Sequence, residues 1–218
     1  MKDTIPILYS FVRCPYAMRA RMGLLESKIN CIIREVDLKN KPSSMLEISP
    51  KGTVPVLVLK TGQVIDQSLD IINYALEQNE QFNIQNYTLA KRKDIQELIA
   101  NNDIEFTKLL RIYKYPERYP DDSQELSRRQ IETQFLDKYE KMLEDKLYLF
   151  GLKSIADIAI LPFIRQFSIV DQDWFYNSNY KNIIAWLKLM TNNDVFQNII
   201  MAKHQPWQDS DKLVYLFN

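Results

Sequence analysis

Apolar residues come in short, quickly changing runs up to about residue 77 and recur at helical spacing from residue 88 onward. In the first stretch, IPILYS reads as a buried strand, PYAMRARMGLLESKI as a helix with Pro15 at its first position, and CIIREV as a second strand. A polar connection, DLKNKPSSMLEISPKG, leads to a strand in VPVLVLK, a turn at Thr61-Gly62 and a strand in QVIDQ. The helical pattern SLDIINYALEQ follows, with Ser68 as its natural N-cap. This order, β-α-β then β-β-α, predicts an α/β domain over residues 1–78.

Residues 79–87 are polar and lack periodicity, which marks a linker. LAKRKDIQELIANNDIEFTKLLRIY, SRRQIETQFLDKYEKMLEDKL, SIADIAILPFIRQFSIV and NIIAWLKLM then carry apolar positions at helical spacing with almost no strand signal. An all-α domain of about five helices is expected over residues 88–218, ending in an irregular tail, KHQPWQDSDKLVYLFN.

The 218 residues suit one large or two modest domains. Lys and Arg total 28 and Asp and Glu total 28, so the chain offers no electrostatic footprint for nucleic acid or an anionic membrane. Two cysteines, Cys14 and Cys31, build no disulfide framework and fit a reducing compartment. No window approaches the roughly 18 apolar residues of a membrane span, and the N-terminal apolar stretch is too short for a signal peptide. A soluble, cytoplasmic protein is expected. A single histidine, His204, excludes His-rich metal sites, and four glycines argue against a phosphate-cradling loop.

Cys14 stands where a strand ends and a helix begins. Unpaired helical N–H groups and the positive end of the helix dipole favour a thiolate there, with Arg13, Arg19 and Arg21 adding positive charge. A free cysteine is ordinarily a small buried residue, but Pro15 fixes this one at the cap, so the expectation is a nucleophile with a lowered pKa. Cys31, read as mid-strand, keeps the ordinary reading. Position 17 is alanine, so there is no C-x-x-C pair, and a mixed disulfide on Cys14 needs an external thiol to resolve it. A proline at the start of a strand is tolerated without function, yet a cis Val54-Pro55 bond would leave the Val54 backbone able to pair with an extended peptide. Ser68 at a helix start reads as an N-cap or as part of a carboxylate site.

RCPYAMRARMGL, DLKNKP, GTVPVL and IDQSLDIINYAL, in this order and spacing before a helical domain, resemble the glutathione transferases, in particular the cysteine-type omega class and its bacterial relatives. GLKSIADIAILP resembles that family's helix start in the C-terminal domain, with a Ser-x-x-Asp cap at Ser154 and Asp157. The resemblance implies a thioredoxin-like domain followed by an all-helical one, with glutathione as co-substrate and no metal. It implies Cys14 facing the glutathione sulfur, Tyr16 lining the pocket, Lys41 at the glycyl carboxylate, Val54 beside Pro55 pairing by backbone with the cysteinyl part, and Gln67 with Ser68 at the γ-glutamyl end. It also implies a homodimer.

The family commonly has glutamate where this chain has Gln67, which removes a charge partner for the γ-glutamyl ammonium; Asp70 is a nearby acid. Conjugating classes place a tyrosine or serine hydroxyl at the glutathione sulfur, whereas a cysteine there implies thiol-disulfide exchange: reduction of mixed disulfides, and of dehydroascorbate by the same cycle. The alternatives are a conjugating transferase for hydrophobic electrophiles and a binding or regulatory protein of the same fold without turnover. Most aromatics of the helical half read as core. Tyr113, Tyr115 and Tyr119, in a stretch broken by Pro116 and Pro120, are the second-substrate candidates, with Trp207 of the tail folding over the cleft.

Overall fold

The strands β1 (Ile7–Ser10), β2 (Ile32–Glu35), β3 (Val56–Val58) and β4 (Val64–Ile65) form one mixed sheet in the order β2-β1-β3-β4 in a computed structural model that describes residues 5–79, 87–208 and 212–217. β1 runs parallel to β2 with Ile7 opposite Ile32, and antiparallel to β3 with Ile7 opposite Val58; β3 and β4 are antiparallel. The parallel pair requires a crossover, which helix α1 (Pro15–Glu26) supplies. Period-two alternation sends Leu8 into one core cluster with Ile33, Leu57 and Ile71, and Tyr9 into another with Val36, Met45 and Val56. Helix α3 (Ser68–Leu76) packs on α1, and Gly23 permits the close approach, because a Cβ there would meet Ile72 Cγ1 at 3.1 Å.

Two features of this region depart from expectation. The polar connection contains a short helix, α2 (Ser43–Ile48), whose one buried residue, Met45, is too little apolar signal to reveal a helical period. The tail is not irregular throughout. Ile33 N–H donates to Val214 O (2.7 Å), Leu216 N–H to Cys31 O (2.9 Å), and Tyr215 bridges Ile32 antiparallel. The tail thereby covers the backbone edge of β2, a device that keeps sheet edges from pairing with other chains.

Among the helices of the other half, α4 (Leu89–Asn101) continues through a π-helical turn, Asn102–Phe106, into α5 (Thr107–Lys114). Likewise α6 (Gln124–Ile131) passes through Glu132–Leu136 into α7 (Asp137–Met142). With α8 (Ile155–Val170), α9 (Gln172–Asn177) and α10 (Lys181–Thr191) this makes five helical runs among the described residues, as the periodicity predicts. Their core is aromatic: Phe106 meets Phe135 edge-on at 5.3 Å, and Phe167 meets Trp174 at 5.9 Å.

The compact units are Met1–Asn83 with Asn193–Asn218, and Ile84–Asn192. The last 26 residues thus group with the sheet rather than with the helices they follow, in contrast to the expected division at residue 88. Of the expected linker, residues 80–86 lie outside the described residues. No described helix is long and apolar enough to cross a membrane.

Candidate functional site

Cys14 is the N-cap residue of α1, with extended backbone (φ −76°, ψ 123°) and Pro15 behind it at the first helical position. Proline suits that place because its missing N–H is one the helix would leave unpaired. The sulfur is half-buried. It lies 3.7 Å from Val54 O, to which the thiol donates, and the Val54-Pro55 peptide is cis. Burial pushes the Cys14 thiol above its ordinary value, against the N–H groups of Ala17 and Tyr16 and the guanidinium groups of Arg21 and Arg19, which pull it down. The lowered pKa expected from the helix start is therefore not what the free protein shows, because loss of water outweighs the helix terminus. Cys31 is fully buried immediately before β2 and is pushed up to about 12.

The loop that presents Cys14 is held from beneath. Val12 N–H donates to Glu35 Oε1 (2.8 Å). Arg21, only 4 % exposed, donates to Ser10 Oγ, Phe11 O (3.4 Å), Val12 O (3.0 Å) and, through Nε, Ile200 O (3.0 Å). These roles were missed in the sequence, where Arg21 reads only as nearby positive charge and Glu35 as one polar position of a strand.

Lys41 is exposed, and its Nζ lies 3.5 Å from where a Cβ on Gly52 would stand; Gly52 takes φ +61°, a backbone natural to glycine. Val54 stays outside the ladder, since β3 begins at Val56. Gln67, not Ser68, is the N-cap of α3; Ser68 is the first helical residue, 6 % exposed, and its hydroxyl accepts from the fully buried Arg19 (3.4 Å). The helix thus opens one residue earlier than expected. Asp70 lies in the first turn of α3 and is exposed. Ahead of it, Asp66 accepts from Ser49 Oγ (2.8 Å) and pairs with Lys51 (3.0 Å), which hold its carboxyl below the usual range and brace the turn into α3. Tyr16 is half-buried, with Arg19 5.7 Å from its ring centre.

Trp207 belongs to this same unit. Its N–H donates to Glu35 O (2.8 Å), the Arg34 guanidinium stacks 3.8 Å from its ring centre, and Tyr9 meets it edge-on at 6.0 Å. It packs with Cys14 against the cluster around Tyr9 and Val54. Tyr113, Tyr115 and Tyr119 lie in the helical unit. Tyr113 is largely core, 4 % exposed and 5.2 Å from Phe167, though it borders a cavity of about 430 Å³ lined also by Gln124, Arg128 and Asp171. Tyr115 ends α5 with Arg118 4.4 Å over its ring, and neither it nor Tyr119 walls that cavity. Among the described residues no cluster of three His, Cys, Asp or Glu side chains is placed to hold a metal.

Residues 8–83 match the glutathione S-transferase N-terminal domain family. Over that N-terminal stretch the chain is similar to the glutathione transferases. The chain is 26 % identical to glutathione S-transferase L1 of Arabidopsis thaliana over 218 residues, covering 96 % of this chain and 85 % of that one. It is 29 % identical to glutathione S-transferase omega-1 of Rattus norvegicus over 169 residues, covering 75 % and 68 %. The chain also superposes on a crystal structure of a glutathione S-transferase from Rhodospirillum rubrum F11 with a TM-score of 0.74, covering 92 % of this chain and 94 % of the other at 21 % identity, a likeness of fold.

Proposed function

We propose that this protein is a glutathione transferase that works as a glutathione-dependent thiol transferase through Cys14. The observation that carries this reading is the half-buried thiol at the start of α1, 3.7 Å from the carbonyl of Val54, a residue outside the sheet ladder. A glutathionyl group extended along Val54 would pair with its backbone as an added strand does and present its sulfur to Cys14. Lys41 would meet the glycyl carboxylate. The γ-glutamyl carboxylate would lie at the N–H groups opening α3, beside Gln67 and Ser68, with Tyr16 along the pocket. Gln67 leaves the γ-glutamyl ammonium without the usual glutamate, and Asp70 is the acid on the same turn.

In the first step the Cys14 thiolate attacks the glutathionyl sulfur of a mixed disulfide. The Cys14–glutathione bond forms as the old S–S bond breaks, and its electron pair leaves on the substrate sulfur, which takes up a proton. A second glutathione thiolate then attacks the glutathionyl sulfur on Cys14, forming glutathione disulfide and returning Cys14 as the leaving thiolate. One mixed disulfide and one glutathione become one thiol and one glutathione disulfide. Trp207 and Tyr113, Tyr115 and Tyr119 remain the candidates for acceptor contacts, and a homodimer in a reducing, cytoplasmic setting is the matching context.

The raised Cys14 pKa favours a second reading. A thiol that keeps its proton can donate to a glutathione thiolate as a tyrosine or serine hydroxyl does, which is the geometry of conjugation to an electrophile. The experiment that separates the two is reduction of a small glutathionyl mixed disulfide, coupled to glutathione reductase, with wild type beside Cys14→Ser. Thiol transfer predicts a loss of about a thousandfold or more in the variant. Conjugation of a hydrophobic electrophile that survives Cys14→Ser supports the second reading. A folded wild type that neither turns over nor binds immobilised glutathione overturns both and leaves a binding protein.

A further inference from the structure

Cys14 and Arg21 are seven residues apart on one helix, so they share a face, and helical side chains lean toward the N-terminus. Arg21 therefore reaches back under the residues that precede Cys14. Its planar fork spreads over four acceptors from three places in the chain: Ser10 at the end of β1, Phe11 and Val12 in the loop, and Ile200 in the π-helical turn Phe196–Ile200 of the C-terminal segment. All four are uncharged. The acid that faces it, Glu35, is buried and turns an oxygen to Val12 N–H, so acid and base grip the same loop residue from two sides. A buried cation with no contact ion pair among the described residues is costly unless its hydrogen bonds are well made, and its field reaches further than it would in water.

We propose that Arg21 is the positioning residue of the Cys14 site: it fixes loop 11–13 so that the sulfur is seated at the opening of α1, and it holds a permanent positive charge beside that sulfur. This rests on the reading of Cys14 as the reacting thiol. The groups facing Cys14 are the N–H groups of Tyr16 and Ala17, the carbonyl of Val54, and the guanidinium groups of Arg19 and Arg21; those facing Arg21 are Glu35, Cys31 and His204. Burial raises the thiol pKa, and Arg21 opposes that rise. Glu35 tempers Arg21, and the Tyr16 and Ala17 amides act independently of both.

The test is the pH–rate profile of iodoacetamide alkylation, with the Cys14 and Cys31 peptides read separately by mass spectrometry, alongside amide hydrogen exchange at Val12 and Arg13. Arg21→Met should move the Cys14 profile up by about one pH unit, an approximately tenfold slower reaction at pH 7.5, and speed exchange in the loop. Arg21→Lys should recover most of the profile while leaving the loop fast, because it returns the charge without the fork. Glu35→Gln keeps an oxygen for Val12 N–H and removes the negative charge, so it should move the profile down. A folded Arg21→Met with the wild-type profile overturns the proposal. Should that variant not fold, an unshifted profile in Glu35→Gln together with wild-type loop exchange in Arg21→Lys overturns it equally. Wild type without turnover but with an Arg21-dependent profile sinks the thiol-transferase reading alone; turnover with an Arg21-independent profile sinks only this one.

Discussion

Arg21 in the sheet unit and Asp157 in the helical unit solve the same problem with opposite charge. Asp157 is fully buried and accepts from Leu149 N–H (3.0 Å), Ser154 N–H and Oγ (2.9 Å each) and Trp186 Nε1 (3.0 Å). Arg21 is nearly as buried and donates to four oxygens. Each ties a turn to a helix through hydrogen bonds to neutral groups. The difference is the neighbour: a half-buried thiol faces Arg21, while Asp157 is ringed by amides, a hydroxyl and an indole. A buried charge of the first kind bears on chemistry, and one of the second kind bears on the fold alone.

That contrast can be tested, beginning with the largest effect. Arg21 faces both cysteines, yet only Cys14 has access, so native Cys31 should alkylate at least about a thousandfold more slowly than Cys14. With a pKa of about 12 its thiolate fraction at pH 8 is about one in ten thousand. Peptide mass spectrometry after timed labelling measures this, and comparable rates would break the distinction. Next, Asp157→Ala strands four donors and should destabilise the protein by about 3–5 kcal/mol in urea unfolding while leaving the Cys14 alkylation profile where it was. A shifted profile would mean that Asp157 also bears on the thiol.

Smaller effects follow from pH. Burial raises Asp157 above its unfolded value of about 3.9, so the folded state holds that proton more tightly. Its contribution is fully present below the unfolded value and is lost as pH rises through the folded one. Wild type should therefore gain on Asp157→Asn by up to about 1.4 kcal/mol per pH unit as pH falls between the two values. Parallel stability curves for the two proteins would refute this. Smallest of all, Lys51→Met removes a bridge to Asp66 whose partners are each about a third exposed, and should cost under about 1 kcal/mol in the same unfolding assay.

Asp157 was legible in the sequence because its capping partner stands three residues away, a spacing local enough to read. So were α1, announced by Pro15, and the four strands, which alternate or cluster as buried strands do. Arg21 was not, because its contact at Ile200 is 179 residues distant and nothing in a helix of mixed polarity marks one arginine as buried. The same holds for the tail: LVYLF has strand character, but which edge it joins depends on β2 being open. The places of Cys14 and Val54 at element ends were readable from Pro15 and Pro55, while the direction of the Cys14 pKa turned on solvent exclusion, which only three-dimensional packing reveals.

The return of the tail to β2 has a consequence for how the molecule is made. Asn30 Nδ2 donates to Phe217 O (2.7 Å) across 187 residues of sequence, and Ile200 closes the grip of Arg21. At about 5–20 residues per second, a ribosome takes roughly 10–40 s to travel between the two ends of that bond. During this interval the nascent sheet carries an open edge at β2, and the loop beneath Cys14 lacks its last carbonyl anchor. The loop that carries Cys14 thus gains its last anchor only after the whole helical unit has been synthesised, so its final packing follows that of the helices.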